Sequence, residues 1–132
     1  MSIAGSDCSG GAGIQADLKT ISALGAYPPT AITAITVQNT TGVRAIHPVP
    51  PVFVRGQIEA VMDDIRPDAI KIGMINDIEI VKVISACLHK YRPAYVIFDP
   101  VMVSTSGHKL IEDDAIAALT DDLMPLTSLI TP

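Results

Sequence analysis

Five short runs rich in isoleucine and valine punctuate the chain: the opening residues through Ala4, Ala31 to Val37, Ala69 to Met74, Ala94 to Phe98, and Ser128 to Thr131. Each is apolar almost without a break, the pattern of a strand buried on both faces. Between them lie stretches with helical periodicity. Apolar residues recur at Ile14, Leu18, Ile21 and Leu24, and again at Val54, Ile58, Val61, Met62 and Ile65, ending before Pro67. Asn76 followed by Glu79 predicts a capping box opening a helix through Lys90, and a fourth helix is predicted from Asp113 to Leu123, stopped by Pro125. Strand and helix in alternation predict an open, mostly parallel α/β sheet. Gln38 to Pro51, with three prolines, breaks the rhythm as a long connection with room for a small strand pair around Val43 to Val49.

Charge and cysteine content narrow the function classes. Fourteen acidic against nine basic residues give a formal charge of −5, without a local Lys/Arg cluster, which disfavours a nucleic-acid partner. No run reaches the roughly 18 to 20 apolar residues of a membrane helix, and the start lacks a signal-peptide pattern, so a cytoplasmic location is expected. Cys8 and Cys87 have no metal-ligand spacing and read as free thiols, Cys87 in line with Ile80 and Ile84 as core. His47, His89 and His108 share no spacing that suggests a metal site.

Ligands of open parallel sheets bind beyond the carboxyl ends of the strands. Behind the first strand comes GSDCSGGAG, Gly5 to Gly13, with four glycines in nine residues. It lacks the Gly-Lys-Ser/Thr of a phosphate loop and the GxGxxG spacing of a dinucleotide fold. What it offers is close backbone approach and free N–H groups at a helix N-terminus, unless it is simply a tight turn. Asp17 falls on the sheet-facing side of the following helix, where a carboxylate needs a polar partner. It serves either a ligand, the glycine loop, or the helix dipole. Gln38 ends an apolar strand with an amide able to donate and accept, which suits a nitrogen heterocycle or a loop cap. Asp99 ends another, as a metal- or water-positioning acid or as an Asp-Pro turn starter. Lys71 is unusual in a buried strand and is expected to reach a carboxylate.

Taken in order, IAGSDCSGGAGIQADLKTISALGAY, ITAITVQNTTGV, IKIGM, FDPVMVSTSGHKL and LITP resemble the hydroxymethylpyrimidine/phosphomethylpyrimidine kinases of thiamine biosynthesis, in the ribokinase-like superfamily. The resemblance implies a three-layer α/β/α fold with a mostly parallel central sheet. It implies that Gly5, Asp17, Gln38 and Met74 surround the pyrimidine, Gln38 by its side chain and Gly5 and Met74 by backbone. It makes Asp99 the acid near magnesium and the ATP phosphates, with Ser104 to Gly107 the neighbouring loop. ATP and Mg²⁺ are the implied cofactors, and hydroxymethylpyrimidine or its phosphate the implied partner.

Members of that family continue past Leu-Ile-Thr-Pro into an Asn-x-x-Glu motif and a Gly-Thr-Gly anion hole. The 132 residues are therefore expected to be the N-terminal half of one kinase domain, incomplete at the C-terminal side, with no catalytic residue of its own and negligible turnover alone. An apolar edge at Ser128 to Thr131 leads to the expectation of self-association into a homo-oligomer. A pyridoxal-type kinase and a non-catalytic α/β binding domain are the competing readings.

Overall fold

A computed structural model describes residues 1–102, 107, 111 and 113–131. Five strands form one all-parallel sheet: β1 (Ser2–Ala4), β2 (Thr30–Ile32), β5 (Ala69–Ile72), β6 (Tyr95–Phe98) and β7 (Leu129–Ile130), in the order β2-β1-β5-β6-β7. Between β2 and β5 in sequence, β3 (Ala34–Asn39) and β4 (Gly42–Pro48) form a separate antiparallel hairpin. The helices are α1 (Gly13–Ala23), α2 (Pro51–Asp64), α3 (Ile78–Tyr91) and α4 (Asp113–Ala118), the last running on as a wider π-type turn over Leu119–Leu123. The mostly parallel α/β architecture expected from the alternation is present.

Side-chain alternation along the strands decides which face each helix covers. Ile3, Ala31, Ile70, Ile72, Val96 and Phe98 are buried on one face, against Val54, Ile58 and Met62 of α2 and Ile80, Ile84 and Cys87 of α3. Cys87 is core, as its spacing predicts, and burial pushes its thiol pKa up. The other face presents Ser2, Ala4 and Lys71, and α1 lies against it with Ile14 as its one fully buried residue. The predicted apolar stripe of α1 fails at its end: Leu24 is 81% exposed, because the helix stops there and Gly25 turns out at φ +81. At the far edge of the sheet, Leu129 and Ile130 are exposed on β7.

The run predicted as one strand from Ala31 to Val37 is two. It breaks at Thr33, which is fully buried. The Thr33 amide donates to the Ala4 carbonyl (3.0 Å), its hydroxyl to the Met74 carbonyl (2.8 Å), and its own carbonyl accepts from the Val49 amide (2.9 Å). Beyond it the burial alternates between buried Ala34 and Thr36 and exposed Ile35 and Val37, the signature of a strand with one wet face. The expected long connection is thus mostly β4, and β3 is its partner. Thr40 and Thr41 form the two-residue turn, and Asn39 Oδ1 accepts from the Thr41 amide (3.0 Å).

Two helix starts also differ from expectation. α2 begins at Pro51, three residues before the first position of its stripe, because a proline at the first helical position loses no hydrogen bond. α3 is capped by Asp77, not Asn76: the Asp77 carboxylate accepts from the Ile80 amide (3.0 Å), and Glu79 pairs instead with Lys82. There is no capping box. Among the described residues no helix is long and apolar enough to cross a membrane. Replacing Asp77 with alanine is expected to cost about 1 kcal/mol of unfolding free energy in urea titrations, whereas Glu79→Ala leaves the urea midpoint unchanged; equal effects would return the cap to the predicted pattern.

Candidate functional site

The carboxyl ends of β1 and β5, the start of α1 and the inner face of the hairpin enclose a cleft of about 590 Å³. Gly5, Asp17, Gln38, Met74 and Asp99 all line it, so every site residue picked from the sequence is brought to one place. The neighbouring segment 104–106 lies outside the described residues.

The glycine loop is closed on itself by a residue the sequence reading missed. Asp7 is 2% exposed. Its Oδ1 accepts from the Ser9 amide (2.8 Å) and Ser9 hydroxyl (2.7 Å), and its Oδ2 from the Gly11 (2.9 Å) and Ala12 (2.8 Å) amides. Burial pushes the Asp7 carboxyl up, but the Ser9 hydroxyl and the three amides outweigh it and hold it below the usual carboxylate range. The Gly10 amide donates to the Asp7 carbonyl and the Ile14 amide to the Gly5 carbonyl. The free N–H groups expected of this loop are therefore largely consumed, and the loop serves by shape. An Asx-type turn is written in Ser-Asp-Cys-Ser-Gly, a short aspartate two residues before a serine, and that is the signal that was available.

Two glycines give the loop its shape. A Cβ on Gly13, which sits at φ +53, would lie 2.4 Å from the Gly5 carbonyl oxygen. A Cβ on Gly5 would lie 2.5 Å from the Met74 Cε, so Gly5 is what lets the Met74 side chain lie across the cleft floor. Met74 packs there with Ala34, Val43, Ile46 and Val101, and its carbonyl accepts the Thr33 hydroxyl.

Loop and hairpin are laced together beside Gln38. The Ser6 amide donates to the Ala34 carbonyl (2.8 Å), the Thr36 amide to the Ser6 hydroxyl (3.2 Å), and the Cys8 thiol to the Gln38 carbonyl (2.9 Å). The Thr36 hydroxyl donates to the Ser6 carbonyl (2.7 Å) and lies 3.1 Å from Gln38 Oε1. A hydroxyl has one proton. With it committed to Ser6, the amide end beside Thr36 is best assigned as NH₂, which leaves the amide oxygen at the end away from Thr36.

Asp17 faces the sheet as predicted and meets polar partners there. Its Oδ2 accepts from the Ser2 hydroxyl (2.5 Å) and from Lys71 Nζ (3.1 Å), so the predicted lysine–carboxylate contact is present. Asp17 does not support the glycine loop; Asp7 does. Lys71 Nζ also lies 3.9 Å from Asp99 Oδ2, a half-exposed carboxylate. Among the described residues no three His, Cys, Asp or Glu side chains converge on a cation position. Asp99 alone fits an ion held mainly by phosphate oxygens and water, the usual habit of Mg²⁺, and does not fit a metal caged by protein.

An open parallel sheet with a small-molecule cleft at its strand tips, flapped by a hairpin, defines an α/β protein of the ribokinase-like type. The chain belongs to the phosphomethylpyrimidine kinase family, whose sequence profile matches residues 7–132. It is 51% identical over 132 residues to a hydroxymethylpyrimidine/phosphomethylpyrimidine kinase of Rhizobium meliloti, covering all of this chain and 49% of that protein. For the kinase of the same description from Escherichia coli the figures are 48%, all of this chain and 50%. The chain thus spans about half the length of these relatives. The crystal structure of a phosphomethylpyrimidine kinase from Clostridium difficile superposes with a TM-score of 0.93 at 53% identity, covering 99% of this chain and 57% of that one. A Staphylococcus aureus pyridoxal kinase in complex with pyridoxal superposes at 0.87 and 36% identity, covering 99% and 48%, and the same kinase is known in complex with AMP-PCP.

The depressed Asp7 carboxyl stabilises the fold at pH values above its unfolded pKa of about 3.9, and that contribution drains away as pH falls through the lower folded value. Unfolding free energies measured from pH 7 down to pH 2 are expected to fall more steeply below about pH 4 in the wild type than in Asp7→Asn. At pH 7, Asp7→Ala should lose about 2–4 kcal/mol, since it strips the partner from several buried donors.

Proposed function

We propose that this cleft is the acceptor site of a kinase that phosphorylates 4-amino-5-hydroxymethyl-2-methylpyrimidine and its monophosphate with ATP in thiamine biosynthesis, and that residues 1–132 form part of one ribokinase-like kinase domain. The observation that carries the reading is the convergence of Gly5, Gln38 and Met74 on one cleft, whose volume of about 590 Å³ has room for a small heterocycle and more. Family membership supports it.

In this reading the ring lies over the Met74 side chain, which rests against Gly5 at the cleft floor, so that thioether and methyl pack against an aromatic face. The Gln38 carbonyl end accepts from the exocyclic amino group, and Asp17 supplies a second acceptor. The hydroxymethyl oxygen attacks the γ-phosphorus of ATP as the bond to ADP breaks, and the hydroxyl proton passes to a general base. Mg²⁺, when bound, neutralises phosphate charge, with Asp99 the residue of this segment placed to hold it. The role of the described residues is to bind and orient the acceptor and to keep water from it.

The likeness to a pyridoxal kinase bound to pyridoxal favours one second reading, a pyridoxal-type kinase. Both acceptors are hydroxymethyl-bearing nitrogen heterocycles, so competition assays on the full-length protein decide between them, and preference for pyridoxal would overturn the first choice. In the same protein Gln38→Ala is expected to weaken pyrimidine binding by about 1–3 kcal/mol, the penalty for a polar partner left unmatched. Unchanged affinity in calorimetry removes Gln38 from the site. Gly5→Ala should leave the melting temperature nearly unchanged, because Met74 Cε is a flexible tip that can move, yet abolish measurable binding as that tip swings into the cleft.

A further inference from the structure

Lys71 has no part in the reading above, and its placement is specific. It stands in β5 in register with Ser2 of β1, so two donors approach the α1 side of the sheet from adjacent, backbone-fixed positions. Both meet the same atom, Oδ2 of Asp17, and Ser2 is fully buried. Space for the ammonium is kept open by Gly73, where a Cβ would come within 3.0 Å of Lys71 Nζ and 3.0 Å of Ala4 Cβ. Asp99, at 3.9 Å, is beyond hydrogen-bond distance, so Lys71 is committed to Asp17.

A carboxylate turns easily about its last torsion, which has broad minima. Two donors on one oxygen remove that freedom and leave Oδ1, which has no hydrogen-bond partner among the described residues, as the oxygen available to a donor in the cleft. The geometry points to Lys71 as a positioning residue for the acceptor: it sets the orientation of Asp17, through which an amino or hydroxyl group of a flat heterocycle is recognised. This inference rests on the reading of the cleft as the acceptor site. Lys71 also lines the cleft, and in this proposal its effect on the acceptor runs through Asp17.

A double-mutant cycle on the full-length protein tests it, with 4-amino-5-hydroxymethyl-2-methylpyrimidine as the calorimetric probe and circular-dichroism melts as the check on folding. Lys71→Met is expected to weaken binding on the order of tenfold, the scale of one misdirected hydrogen bond to a charged group, but less than about twofold when introduced into Asp17→Asn. Lys71→Arg, which keeps the charge and the donors, should recover most of the affinity. An equal loss from Lys71→Met in both backgrounds, or no loss at all, overturns the proposal while leaving the acceptor site standing. Failure of the wild type to bind the pyrimidine would instead overturn the acceptor-site reading and this proposal with it.

Discussion

One buried threonine holds the architecture of the site. Thr33 spends its amide, its hydroxyl and its carbonyl on three different pieces of chain: the end of β1 at Ala4, the segment after β5 at Met74, and the return of β4 at Val49. Buried backbone polar groups must be paired, and here the pairing directs the chain out of the parallel sheet and into a hairpin. Without that turn, β3 would continue as a sheet strand and Gln38 would have no reason to stand over the tips of β1 and β5.

The glycine loop contributes differently from what its composition suggests. Runs of glycine before a helix are associated with anion cradles because they expose amides. In this loop the carboxylate of Asp7 already occupies that role, taking the amides of Ser9, Gly11 and Ala12. The loop is thereby internally satisfied, and what it adds to the cleft is backbone at Gly5, with Met74 lying against it. A phosphate placed on this loop would meet an acid where it needs donors.

The parts legible in the sequence were those fixed by local pattern: the alternation of elements, the positions of the strand tips, and the residues that follow them. Asp17 was placed on the correct side of α1 by angular step alone. The rest depended on partners far away in the chain. Ala31 to Val37 reads as a single apolar run, and only the contacts of Thr33 with Ala4, Met74 and Val49 split it. Asp77 and Asn76 are equally good caps on paper, and the extended backbone at Asp77 chooses between them. Leu24 keeps the helical period of α1 but falls where Gly25 ends the helix, so the period continued after the surface it served had stopped.

The hairpin combines two duties in one short ribbon. Val43 lines the cleft and packs with Ile46 against Ala34 and Met74, and the same strands carry Gln38 into the cleft wall. A wall and a polar side chain built from one piece of chain cannot be altered separately. Any change in the ribbon that widens the entrance also moves Gln38, so the breadth of the cleft and the placement of its amide are mechanically linked.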